Sequence, residues 1–137
     1  MSRTPLPFLL VIAVLALGAC APAPPLPPGT VQVLPQLPPG RIAAGQARAA
    51  LRNPATGQRC IDCHGADGNH PLQPDYPRLA GQYEDYLAHA LLAYRDGDRH
   101  DADMAPQAAA LGDQDIADLA AWFGSHRGPL RDLHEAK

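Results

Sequence analysis

Five consecutive residues, Cys60-Ile61-Asp62-Cys63-His64, carry the plainest chemistry in this chain. Two thiols three positions apart fall on a single helical turn, and an imidazole follows at once. Such a pair can serve as a redox-active dithiol, as part of a zinc site, as a structural disulfide, or as the attachment point of a c-type haem. A thioredoxin-like dithiol needs a βαβ pattern around it, and no segment here alternates apolar and polar residues over any length. Zinc at finger spacing needs a second pair of ligands, and no second cysteine pair exists. A disulfide leaves the adjacent histidine unexplained. Covalent haem uses all three side chains: Cys60 and Cys63 form thioethers to two vinyl groups of one porphyrin, and His64 swings onto the iron as proximal ligand. Gly65, lacking a side chain, then lets the backbone pass close to the macrocycle.

The elements that must hold this motif are helical. From Ile42 to Leu51 the chain is alanine-rich, with Arg48 and Arg52 near the end where cations suit the helix dipole. From Gln82 to Tyr94 the larger apolar residues Tyr83, Leu87, Ala90, Leu91 and Tyr94 define one face, and Gly97 stops the helix. From Asp113 to Ser125, Ile116, Leu119, Ala120 and Phe123 repeat that pattern, with Asp115 placed three residues after Gly112 as a weak capping box. Between the haem motif and the second helix runs a long loop carrying Pro71, Pro74 and Pro77, of the length usually kept for function. These patterns predict an all-α fold.

Composition points the same way. Of 137 residues only 5% are aromatic, and the part able to fold, residues 41–128, holds 39 hydrophobic residues in 88, of which 19 are alanine. So few large side chains make a marginal core, and a porphyrin would complete it. The length excludes a multidomain enzyme, and the net charge of −3 argues against nucleic-acid binding. Charge is uneven: residues 81–137 carry an acidic excess that includes Asp96, Asp98, Asp101 and Asp103, a patch able to steer a basic partner or simply to be solvated.

The N-terminus reads as an export signal, Arg3 followed by an apolar run from Phe8 to Ala19 that is too short to span a bilayer. It ends in Leu17-Gly18-Ala19-Cys20, which resembles the bacterial lipobox, and that resemblance implies an acylated Cys20. Export places the cysteine pair in an oxidising compartment where it is committed to a bridge, metal or cofactor. The expected organisation is a lipoprotein signal peptide over 1–19, a lipid-anchored proline-rich linker over 20–40 acting as a passive tether, a haem domain over 41–128 and a tail over 129–137.

The pieces GQARAAL, CIDCHGADGN, PRLAGQYEDYL, Met104 and LGDQDIADLAAWF, in that order, resemble a small bacterial class I cytochrome c of the single-haem or two-haem periplasmic type. The resemblance implies three main helices around one covalent haem c, with the first and third crossing so that Gly45 and Ala49 face Leu119 and Trp122. It favours Met104 as the sixth iron ligand, in a loop between the second and third helices, with His100 as the alternative. It implies that the Pro77 carbonyl orients His64, and that Leu79, Leu91 and Leu111 pack on the porphyrin, whereas Trp122 is core. Arg78 reaches either a haem propionate or solvent. The function implied is one-electron transfer, not enzyme catalysis, by a monomeric protein tethered to a membrane on the periplasmic side and serving redox proteins of a respiratory or dehydrogenase chain. A fixed electron-transfer subunit of a membrane dehydrogenase, reductase or oxidase is the rival, and a haem-based gas sensor a more distant one.

Overall fold

A computed structural model describes residues 24–130 of the chain. The export signal and Cys20 lie outside the described residues, as do residues 131–137. Two strands, β1 (Thr30–Val31) and β2 (Gly40–Arg41), pair antiparallel. They precede α1 (Ile42–Ala49), α2 (Cys60–His64), α3 (Glu84–Asp96), α4 (Met104–Ala108) and α5 (Asp113–Gly124). The class I cytochrome c expectation of three main helices is met by α1, α3 and α5. No helix among the described residues is long and apolar enough to cross a membrane.

Helix α5 is the centre of the fold. Ile116, Ala117, Leu119, Ala120, Ala121 and Phe123 are all buried, so the helix is covered on every side but one. Helix α1 crosses it at Gly45, where a Cβ would collide with the Asp118 carbonyl and the Trp122 side chain. The crossing expected from the resemblance is met at Trp122, and Asp118 joins it there. Only glycine at position 45 lets the two backbones come this close.

Helix α1 ends at Ala49, two residues short of Leu51, which is well exposed. Helix α3 starts at Glu84 rather than Gln82 and runs on to Asp96, where Gly97 takes the left-handed conformation (φ 84°) that closes it. Met104 opens α4 rather than lying in a loop. The Asp101 carboxylate accepts the backbone N–H groups of Asp103 (3.0 Å) and Met104 (2.9 Å), and this starts the turn. Pro106 falls in the first turn of α4, where its missing N–H has no intrahelical partner to lose.

The stretch 20–40 departs from the expected passive tether. Val33, Leu34 and Leu37 are buried in the same apolar cluster as α5, and Val31 packs against it. The prolines conceal this in the sequence, because they forbid a regular ladder without forbidding burial of the aliphatic residues between them.

Candidate functional site

A cleft of about 560 Å³ opens between the haem-motif helix, the following loop and the helices α3, α4 and α5. That volume lies within the roughly 300–1,000 Å³ of sites that enclose cofactors and small molecules. Cys60, Cys63, His64, Pro77, Leu79, Leu91, Met104 and Leu111 all line it, so one space gathers every cofactor-site residue expected from the sequence.

Helix α2 is one turn long and depends on side chains for its start. Asp62 accepts the backbone N–H of Arg59 at 2.9 Å, and its other oxygen takes Arg59 Nε (2.9 Å) and Nη2 (2.6 Å). Both cysteines are free thiols half-exposed to the cleft. Burial raises the pKa of each, with neighbouring Asp103 and Asp62 adding to the rise at Cys63. Gly65 ends the turn at φ 88°, a conformation costly for any residue with a Cβ. A Cβ there would strike the backbone of His70, so the loop that folds back over the motif itself requires glycine at this position.

His64 is buried, with 5% of its surface exposed. Its Nδ1 lies 2.9 Å from the Pro77 carbonyl. A carbonyl oxygen can only accept, so Nδ1 carries the proton and Nε2 keeps its lone pair. Burial holds the imidazole pKa below its ordinary value, although the bond to Pro77 pulls the other way, and the ring stays neutral at neutral pH. The loop that brings Pro77 into place is pinned to the motif: Leu72 N–H donates to the Cys63 carbonyl at 2.8 Å, and Leu79 N–H to the Gly68 carbonyl at 2.8 Å.

Facing this loop, Met104 is half-buried at the start of α4 and reaches the cleft. Set against the histidines His70, His89, His100 and His126, Met104 alone lines the space. His70, His89 and His100 are exposed or half-exposed outside it, and His126 stacks edge-on against Trp122 with ring centroids 4.0 Å apart. The hydroxyl of Tyr76 donates to Asp103 Oδ2 at 3.4 Å, linking the Pro77 loop to the Met104 loop at the rim.

The walls are aliphatic and aromatic. Leu87, Ala90, Leu91 and Tyr94 of α3, and Leu119, Ala120 and Phe123 of α5, turn the sequence-predicted helix faces toward the cleft. Leu87, Leu119 and Phe123 were legible as face residues but not as cleft residues, since periodicity marks a buried side without saying what covers it. Arg99, at the rim with its guanidinium 4.7 Å from the centre of the Tyr94 ring, had no sequence signal. Arg78 is exposed and lines the rim.

The donor set fits a covalently held haem: two unbridged thiols on one turn, a neutral histidine whose distal nitrogen is the free one, a thioether across from it and an apolar surround. Comparison with known proteins decides the family. The family model described as Cytochrome c matches residues 53–127. The chain belongs to the cytochrome c family. It is 46% identical over 88 residues to cytochrome c4 of Pseudomonas aeruginosa, covering 64% of this chain and 39% of that protein. It is 48% identical over 69 residues to cytochrome c-554(548) of Halomonas halodenitrificans, covering 48% of this chain and 82% of that protein. A further relative, the thiosulfate dehydrogenase electron acceptor of Thiomonas intermedia, is 40% identical over 70 residues, 51% of this chain and 32% of that protein. The solved structure of reduced cytochrome c4 from Pseudomonas stutzeri superposes with a TM-score of 0.55 at 36% identity, covering 65% of this chain and 47% of that one. This cytochrome thus spans less than half the length of the cytochrome c4 chains it matches. It is a small bacterial class I cytochrome c.

Proposed function

We propose that this cytochrome is a lipid-anchored carrier with a single haem c, moving one electron at a time between redox proteins on the periplasmic side of a bacterial membrane. The observation that carries the reading is the convergence, in one cleft, of two free thiols, a histidine held through Nδ1 and Met104. When bound, haem c supplies a reversible one-electron couple at its iron. Cys60 and Cys63 would hold the group covalently through thioethers. His64 would offer Nε2 as a donor to its iron, and the Pro77 carbonyl holds the orientation of the ring through Nδ1. Met104 offers a thioether, a soft donor that favours the reduced metal and raises the potential relative to two imidazoles. Leu79, Leu91 and Leu111 keep water from the buried face. Two protein donors, His64 and Met104, would both be available to the iron, which suits one-electron transfer.

Attachment to the membrane rests on Leu17-Gly18-Ala19-Cys20 and its likeness to a lipobox. A second reading, that the protein serves one dehydrogenase as its dedicated acceptor or subunit, is favoured by the likeness to a thiosulfate dehydrogenase electron acceptor. Stoichiometric co-purification with one enzyme after mild detergent extraction distinguishes that case from a free carrier.

The central test is the absorption spectrum of the oxidised protein, produced in a host that attaches haem. A far-red methionine-to-iron charge-transfer band, lost in Met104→Ala, supports the ligand set, and its absence from the wild type overturns it. Cys20→Ser should release the protein from the membrane with the haem spectrum unchanged.

A further inference from the structure

The proline-rich stretch changes character at Gly29. Before it, residues 24–28 are exposed. After it, the chain is fastened at nearly every residue. Ile42 N–H donates to the Gly29 carbonyl at 3.1 Å, and β1 pairs with β2 through Thr30 with Arg41 and Val31 with Gly40. Between the strands, Val33, Leu34 and Leu37 are buried, and Gln32 Nε2 donates to the carbonyls of Leu34 (2.6 Å) and Leu37 (3.1 Å) to close the turn. Gln114 Nε2 holds the Pro39 carbonyl at 3.0 Å, and Arg41 is bound to the buried carboxylate of Asp118. Pro35, Pro38 and Pro39 restrict the undocked chain, so less entropy is lost when it docks.

The side of α5 that receives this segment is the one away from the haem cleft. Gly40 and Gly45 lie so close to α5 that a Cβ at either would strike it at Ala117 and Ala121, or at Asp118 and Trp122. The cleft takes Leu119, Ala120 and Phe123. At 3.6 residues per turn the two sets lie about 180° apart around the helix axis.

We infer that residues 29–41 are a docked clasp that sets how far the haem cleft can stand from the membrane, and that the redox partner it serves is itself held at that membrane. The inference rests on the anchoring at Cys20 proposed above. With the clasp docked, nine residue steps separate Cys20 from Gly29. At no more than about 3.6 Å per step the free tether reaches roughly 32 Å. Undocked as far as Arg41, the same tether would reach roughly 75 Å. A domain of this size is roughly 30 Å across, so the clasp keeps the cleft within about 60 Å of the bilayer surface. A limit of that kind matters only for a partner confined to the same surface, since a freely diffusing one meets the cleft at any distance.

The test uses the full-length, haem-loaded, lipidated protein in phospholipid vesicles carrying a headgroup fluorophore whose emission overlaps haem absorption. Quenching of the fluorophore reads the haem-to-surface distance. Leu34→Asp/Leu37→Asp, which frees the clasp, and a ten-residue Gly/Ser insertion between Gly29 and Thr30, which lengthens the tether beside an intact clasp, should each lose quenching with the haem spectrum unchanged. Unchanged quenching in both overturns the clasp as the length-setting element. Amide exchange on the wild type reads docking without a variant: protected N–H groups at Leu37 and Arg41 are expected, and free exchange there overturns it. A wild type that fails to bind vesicles and behaves like Cys20→Ser overturns the anchor itself, a different result from bound protein with unaltered quenching. For the partner, washed envelope membranes bearing the wild type should still turn over its haem after soluble proteins are removed, and loss of turnover overturns the membrane-held assignment.

Discussion

Asp118 and Arg41 are joined by three hydrogen bonds. Asp118 Oδ1 accepts the Arg41 backbone N–H at 2.8 Å and its Nε at 3.2 Å, and Oδ2 accepts Nη2 at 2.6 Å. Gln114 Nε2 adds a fourth bond to Oδ1 at 2.8 Å. The Asp118 side chain is only 4% exposed while that of Arg41 is 55% exposed, so a buried carboxylate is satisfied by a cation that keeps most of its own hydration. The pair ties the start of α1 to the middle of α5, 77 residues later in the chain.

This geometry gives stability a pH dependence. Burial alone would raise the Asp118 carboxyl pKa, but the bonds from Arg41 and Gln114 outweigh it and hold the group below the usual carboxylate range. A group whose folded pKa is depressed contributes its stability in full above the unfolded value of about 3.9 and loses it as pH falls through the folded pKa. Asp118→Asn should therefore cost about 2 kcal/mol at neutral pH. In urea unfolding of the haem-loaded protein, the gap from wild type should hold steady down to about pH 5 and narrow below about pH 4. A gap that is the same at all pH values would mean that the charge of Asp118 is irrelevant to folding.

Gly45 sets the distance between α1 and α5. Alanine is the better helix former by roughly 0.5–1 kcal/mol, yet its Cβ would strike the Asp118 carbonyl and the Trp122 side chain. Displacing packed backbone typically costs 1–3 kcal/mol, so the clash should win by about 1 kcal/mol or more. The urea midpoint of Gly45→Ala is expected to fall. A rise would show that α1 can step back freely from α5.

The sequence stripes on α3 and α5 proved to be the walls of the cleft, because a helix face that must be buried keeps its period whether a side chain or a cofactor covers it. The haem motif was legible for a different reason: its thiols and imidazole need a fixed spacing, and such spacing survives in one dimension. Helix α4 was not legible. Five residues give too little periodicity, and Pro106 reads as a breaker unless one knows that Asp101 starts the turn just before it. The docking of Val33, Leu34 and Leu37 was not legible, because the apolar cluster they join is centred on α5, some 80 residues later, and the intervening prolines look like linker. Gly65 was legible as a position that needs glycine, but its contact with the His70 backbone was not, since that depends on how the loop folds back.

Asp101 offers a test of how Met104 is held. Its carboxylate accepts the N–H of Met104 and of Asp103, and these two bonds depress its pKa. Asp101→Ala removes Oδ1, the one acceptor of both bonds, leaving the first turn of α4 without that support while keeping Met104 and the other residues that would hold the haem. Added imidazole should then displace the methionine at a lower concentration than in the wild type, followed by loss of the far-red band. If the two titrations coincide, Asp101 has no part in placing Met104.

The last prediction concerns the chain without its cofactor. Leu87, Leu119 and Phe123 are almost fully buried, and all three also line the cleft, so their burial depends on the walls staying where a porphyrin would hold them. Much of the remaining buried cluster is alanine, namely Ala49, Ala88, Ala108, Ala117, Ala120 and Ala121, and each alanine removes little apolar surface from water. Replacing Cys60 and Cys63 together with alanine and producing the protein without haem attachment should therefore leave a chain with weak helical circular dichroism, no sharp near-ultraviolet signal and no cooperative thermal transition. A sharp transition in that chain would show that the side chains alone build a sufficient core, and the small-residue composition would need another explanation.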